Sequence, residues 1–190
     1  MTTFPKYNSL SLTCPTDAKI CQLTFTRPER YNSMEPRVYA EILDALRYLE
    51  SAESVHIVIV TGEGKFFSSG LDLAWSPKAT DLSLEESLVR DVGITKTLVD
   101  VLITFPKILI AAVNGPALGF ACSMLALFDF VYSVEDAWFE TPFMKLALCA
   151  EACSSITFPR IMGTQKASEM LVRLFLFFRW FKGTSLILSQ

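Results

Sequence analysis

One carboxylate stands alone in LALCAEACSS, residues 146–155: Glu151 is flanked by leucine, cysteine and alanine, with no basic residue nearer than Lys145. In dry surroundings the ionised form of such a group is disfavoured and its pKa rises toward the range of a working general base. At an exposed helix start the same residue would be a surface acid stabilised by the helix dipole. Two other stretches bear on the choice. FFSSGLDL (66–73) and NGPALGFACS (114–123) both follow strongly apolar runs, and each carries a glycine where the chain must turn sharply or be closely approached. The second leads into a helical pattern, so amides after Gly119 lack intrahelical acceptors. One amide from each loop could hold a developing oxyanion. The chemistry on offer is the holding of an anionic oxygen near a carboxylate in dry surroundings.

The elements that must position these groups follow from periodicity. KICQLTF (19–25) alternates as a strand, and RPERYNSM (27–34) is a loop that Pro28 keeps from being helical. From Glu35 to Glu50, Tyr39, Ile42, Leu46 and Leu49 recur at helical spacing, with Pro36 in the first turn. VHIVIVT (55–61) and ILIAAVNG (108–115) read as strands buried on both faces. Between them, a polar connection runs to about Ser83 and a long helix from Leu84 to Phe105, ended by Pro106. PALGFACSMLALF (116–128) reads as a buried helix, DFVYS and AWFE as short strands, and GTQKASEMLVR (163–173) as an amphipathic helix. Such alternation implies an α/β layered fold with helices laid over a sheet. No internal repeat or linker divides the chain.

Composition narrows the function classes. The 190 residues are 51% apolar and 19% charged, which excludes disorder and suits one domain with a large core. A net charge of −3 argues against a nucleic-acid surface. The five cysteines form no CxxC pair and read as reduced core thiols; with a single histidine, no metal site is expected. His56 lies inside a strand pattern, so it reads as structural, and a Ser–His–Asp triad has no other histidine to use. The N-terminus has no secretory pattern. The aromatic segment LFLFFRWFKGTSLILSQ (174–190) is broken by Arg179 and Lys182 and falls well short of the roughly 20 residues of a membrane span.

Taken in order, RPERYNSM, VIVTGEGKFFSSGLDL, PKILIAAVNGPALGFACSMLALFDFVYS, AWFETPFMKLAL, EACSSITFPRIMG and KASEML resemble the crotonase, or enoyl-CoA hydratase/isomerase, superfamily. The resemblance covers about Lys19 to Arg173 and is strongest to the peroxisomal Δ3,Δ2-enoyl-CoA isomerases and their chromodomain-Y-like relatives. It implies a crotonase (ClpP/crotonase-like) spiral of ββα turns with flanking helices. The expected division is an acyl-CoA-binding core over residues 1–173 and a divergent apolar tail over 174–190, in place of the usual C-terminal helices. The resemblance also implies that the thioester oxygen lies between the amides of Leu71 and Phe120, just after Gly70 and Gly119. Ser68, Ser69, Gly70, Leu71 and Asp72 would line the pocket and offer backbone groups to the CoA adenine, the two serines through backbone more than hydroxyl. Arg30 would face CoA phosphates, or be a solvated loop charge.

Hydratases of the superfamily carry acids at the positions of Ser123 and Phe143, where this chain has none. In the isomerases one glutamate, here Glu151, takes the C2 proton and returns it to C4. The family more often has proline and glycine where Ala150 and Ala152 stand. The resemblance thus implies a Δ3,Δ2-enoyl-CoA isomerase of fatty-acid β-oxidation. Its substrate would be an acyl-CoA thioester, with no separate cofactor, and it would be a homo-oligomer, trimeric in the family. The expected compartment is the peroxisome, with mitochondrion or cytoplasm as alternatives, since ILSQ is no peroxisomal C-terminal signal. A non-catalytic acyl-CoA-binding or protein-interaction module is the alternative function.

Overall fold

The computed structural model describes residues 5–15, 19–75, 84–172 and 178–179. Its larger sheet has the order β1 (Leu10–Thr13), β2 (Ile20–Phe25), β3 (Ile57–Gly62), β4 (Ile108–Val113) and β6 (Phe130–Ser133). Only β1 runs antiparallel to its neighbour; β2, β3, β4 and β6 are parallel, with Ile20 opposite Ile57 and Ile57 opposite Ile108. Parallel neighbours need crossovers, and the long helices supply two of them: α1 (Pro36–Ser51) joins β2 to β3, and α2 (Leu84–Thr104) joins β3 to β4. Val38, Ile42, Leu46 and Leu49 of α1 and Leu98 and Leu102 of α2 meet Leu23, Val58, Val60, Leu109 and Ala111 of the sheet in one core.

The strands are not covered equally on both sides, as their continuous apolar runs suggested. Val58 and Val60 are buried while Ile57 and Ile59 are half-buried, and β4 alternates likewise. One face carries the core and the other keeps partial contact with solvent, so β-branched residues here serve the strand conformation as well as burial.

A second layer is built from short pieces. β5 (Ala117–Leu118) pairs in parallel with β7 (Trp138–Glu140), and Phe178–Arg179 (β8) pairs antiparallel with β7. Isolated bridges join Met34 to Leu71 and Ser68 to Ala117. A long strand, a short stretch in the second layer and a helix therefore recur: β2, Met34, α1; β3, Ser68–Leu71, α2; β4, β5, α3 (Phe120–Met124); β6, β7, α4 (Ser154–Met162). The sequence shows no repeat because the unit lives in the backbone path rather than in matching side chains. α5 (Thr164–Val172) follows α4 after Gly163, whose φ of +80° ends the earlier helix.

Three further differences from the sequence reading have local causes. The helix expected over 116–128 is split: Gly119, at φ +54°, separates β5 from α3, and Leu125–Leu127 tighten into a 3-10 turn. α4 runs through Pro159, a residue that hides a helix from pattern analysis. Cys14 and Cys21 are joined as a disulfide across the antiparallel β1–β2 pair with Cα atoms 4.4 Å apart, which corrects the expectation of five free thiols. Cys122, Cys149 and Cys153 are free. His56 is exposed, in keeping with a structural place at the strand entry. Of the tail over 174–190, only Phe178–Arg179 is described; the rest, and the question of an exposed apolar tail, lie outside the described residues.

Candidate active site

The two glycine loops touch, and hydrogen bonds lock them together. The Leu118 amide donates to the Ser68 carbonyl at 3.0 Å, and the Phe67 amide donates to the Pro116 carbonyl at 3.0 Å. Gly70, at φ +75°, presses so closely on the Leu118 carbonyl that a β-carbon there would collide with it, and that carbon would stand 3.4 Å from the Phe120 amide nitrogen. Glycine is required here on both counts, conformation and space.

Among the described residues the Leu71 amide makes no hydrogen bond. Met34 donates to the Gly70 carbonyl at 2.7 Å and Asp72 donates to the Met34 carbonyl at 2.9 Å, so the bridge is complete without it. Phe120 is the first residue of α3, and its N–H has no carbonyl one turn earlier to bond. Five residues make too short a helix for much of a dipole. What remains is two orphan amides, each held by backbone bonds on its flanks.

The first loop is further fixed by side chains. Ser68 is fully buried, and its hydroxyl donates to the Asn32 carbonyl at 2.7 Å and accepts from the Gly70 amide at 3.1 Å. Its hydroxyl is thus an active part of the loop, beside the backbone to which the sequence reading gave the larger share. The Ser69 amide donates to the Tyr31 carbonyl at 2.9 Å. Asn32, at φ +53°, accepts from the Arg27 amide and donates to the carbonyls of Glu63 and Phe66. That residue was in plain view within RPERYNSM, but nothing in its spacing announced a bond to a segment more than 30 residues away.

Asp72 is the anchor at the loop's far end. It is 7% exposed; one carboxylate oxygen accepts from Arg30 at 2.8 Å and from Ser33 at 2.9 Å, and the other from the Ala74 amide at 3.1 Å. Burial works to raise its pKa, but the hydrogen bonds from Ser33, Arg30 and Ala74 and the guanidinium charge outweigh it and hold the carboxyl below the usual carboxylate range. Arg30 is neither a free loop charge nor wholly given to a ligand: its side chain is 47% exposed while one nitrogen is bound to Asp72.

Glu151 sits between the 3-10 turn Met144–Leu146 and α4. It is half-buried, and that burial raises its pKa. Its carboxylate has no hydrogen bond or ion pair with any described residue, whereas its carbonyl accepts from both the amide and the hydroxyl of Ser154. Ala152 and Cys153 follow at φ +47° and +59°, two successive left-handed residues that swing the chain into α4. Ala152 therefore occupies a conformation that glycine adopts freely and alanine at a cost. Ser123 and Phe143 are both buried, and neither supplies an acid. Among the described residues, no group of three His, Cys, Asp or Glu could hold a metal, and no helix is long and apolar enough to cross a membrane.

A spiral of strand, short strand and helix with two backbone donors in facing loops defines a class, and comparison agrees with it. The sequence profile of the enoyl-CoA hydratase/isomerase family matches residues 15–174, and the chain belongs to that family. It is 41% identical to enoyl-CoA delta isomerase 2 of Rattus norvegicus over 153 residues, covering 80% of this chain and 39% of that one. Against enoyl-CoA delta isomerase 3, peroxisomal, of Mus musculus it is 42% identical over 158 residues, covering 80% and 48%. A probable enoyl-CoA hydratase/isomerase from Mycobacterium abscessus shares the fold with a TM-score of 0.77 at 28% identity, over 87% of this chain and 62% of that one. The chain thus spans less than half the length of these two curated relatives.

Proposed function

We propose that the chain is a Δ3,Δ2-enoyl-CoA isomerase. A 3-enoyl-CoA would seat its thioester oxygen between the Leu71 and Phe120 amides. Glu151 would take the C2 proton, and the electron pair of that C–H bond would pass into a dienolate whose charge rests on the held oxygen. The same carboxyl would return the proton to C4, leaving the double bond between C2 and C3. Nothing is oxidised or reduced, and no cofactor enters beyond the coenzyme A of the substrate itself. One base suffices because the proton moves between two carbons on one face.

The observation that carries this reading is a half-buried Glu151 with raised pKa and no hydrogen bond or ion pair to its carboxylate among the described residues, in a chain that has no acid at Ser123 or Phe143. Water addition needs those acids; a proton shuttle does not. Each preorganised amide donor is worth roughly 3 kcal/mol of transition-state stabilisation in comparable sites. The peroxisomal name of the mouse relative supports the same compartment here, to be checked by imaging a fluorescently tagged chain. A trimer is the assembly that goes with this reading, and light scattering would decide it.

The test is conversion of trans-3-hexenoyl-CoA to the conjugated 2-enoyl product by the wild type and Glu151→Gln. Turnover lost in Glu151→Gln with CoA binding kept supports the isomerase. Equal turnover in both would remove Glu151 as the base, and tight CoA binding without turnover in either would make the chain a binding module.

A further inference from the structure

The parallel pairing of β3 with β4 ends at Val60 opposite Ala111, and beyond it both strands run on toward the glycine loops. Where the main-chain ladder stops, side chains continue it. The Thr61 hydroxyl donates to the Ala112 carbonyl at 2.8 Å, and the Gly62 amide donates to Oδ1 of Asn114 at 3.0 Å. Nδ2 of Asn114 donates to the Gly64 carbonyl at 3.0 Å and to the Phe66 carbonyl at 3.3 Å. A carboxamide carries an acceptor and two donors, so this one side chain stands in for a peptide group and spans the facing turn.

The Phe66 carbonyl is held from a second side as well. Nδ2 of Asn32, in the loop after β2, donates to it at 2.9 Å. Three successive turns of the spiral thus meet on a single oxygen. Gly115, next to Asn114, presses so closely on the Lys65 carbonyl that a β-carbon would collide with it, which leaves the turn no room to slide. From Phe66 the chain passes straight into the first glycine loop, where the Phe67 and Ser68 amides donate to the Pro116 carbonyl at 3.0 and 3.3 Å. Asn114 therefore lies on the segment that leads to Phe120 and ties down the turn that leads to Leu71.

We propose that Asn114 is a positioning residue: its side chain sets the spacing and angle at which the Leu71 and Phe120 amides stand. The proposal rests on the reading of those two amides as the donors that hold an enolate oxygen. A backbone donor cannot be re-aimed by a change of rotamer, so its aim is only as good as the contacts between the two loops. A misplacement of about 1 Å at such a site costs on the order of a hundredfold in rate. A neutral thioester, with little charge on its oxygen, is far less sensitive to that spacing than the enolate.

Asn114→Ala removes all three bonds. Asn114→Asp keeps the acceptor for Gly62 and turns an oxygen toward the Gly64 and Phe66 carbonyls. The control is Thr61→Val, which removes a bond at the same strand end and leaves the turn alone. The probe is acetoacetyl-CoA, whose enolate is followed by its near-ultraviolet absorbance, set against hexanoyl-CoA, which stays a neutral thioester. Both Asn114 variants are expected to weaken enolate binding by about tenfold to a hundredfold, with hexanoyl-CoA binding within about twofold. On trans-3-hexenoyl-CoA, kcat should fall by the same factor with KM within about twofold. Thr61→Val should lose thermal stability and keep the wild-type preference for the enolate. Should Asn114→Ala fold too weakly to assay, Asn114→Asp, with the Gly62 bond intact, carries the test. Asn114 variants that keep the enolate preference, or a Thr61→Val that loses it to the same extent, overturn the proposal. Absence of isomerisation in a wild type that still holds the enolate defeats the functional reading instead, and the binding ratio alone then decides the place of Asn114.

Discussion

Replacing Asp72 by asparagine tests whether the first glycine loop, the proposed oxyanion loop, is held by the Arg30–Asp72–Ser33 cluster. Asparagine keeps size and one acceptor oxygen but sets an NH2 group where an oxygen now accepts. Neither the Ser33 hydroxyl as it now donates nor the Arg30 guanidinium, a donor at every nitrogen, can bond an NH2 group. Arg30 is 47% exposed, so solvent screening limits its share to below about 1 kcal/mol. The buried Ser33 bond to the carboxylate is worth about 1–2 kcal/mol. A loss of about 2 kcal/mol at neutral pH follows, read by urea denaturation. The sign of the pH dependence follows from the depressed folded-state pKa of Asp72. Its contribution is complete above the carboxylate's unfolded value, about 4, and is lost as pH falls through the lower folded value. The gap between wild type and Asp72→Asn should therefore close in acid. Because Asp72 adjoins the Leu71 amide, kcat should fall about tenfold, short of the roughly hundredfold of a removed donor. A variant as stable as wild type at neutral pH, or a gap that persists in strong acid, would refute the reasoning.

Ala152→Gly should raise stability by about 1 kcal/mol in thermal or urea melts, because the left-handed backbone at this residue costs alanine that much, and it should leave kcat undiminished. Gly70→Ala should do the reverse, losing turnover and stability together, since its β-carbon would meet the Leu118 carbonyl. Glu151→Gln should gain stability at neutral pH while losing activity. A carboxyl whose pKa is raised on folding opposes the folded state as pH climbs past the unfolded value, so this gain should vanish in acid melts. The acid limb of the wild-type kcat profile should accordingly lie above the usual range of a glutamate.

Long elements with a clean period were legible: β2, β3, β4, α1 and α2 all stand where alternation or helical spacing put them, within a few residues. β1 and β5 are too short to carry a period, and Pro159 disguises α4. The glycine loops could be recognised from composition, because backbone that must turn tightly leaves a mark in residue type. Side-chain bonds leave none. Arg30 meets Asp72 across 42 positions and Ser68 meets Asn32 across 36, and only the folded path brings them together.

The hydrogen bonds that tie Ser68 to Pro116 and Leu118 belong wholly to the main chain. An electrophile built this way is indifferent to which side chains occupy positions 71 and 120, provided Gly70 and Gly119 let the chain pass. Phe120 is held in the core against Tyr39, whereas Leu71 is 43% exposed and its side chain is free to vary. Under the proposed function, substitutions at position 71 could therefore re-aim the pocket at a different acyl group while the backbone donors stay as they are.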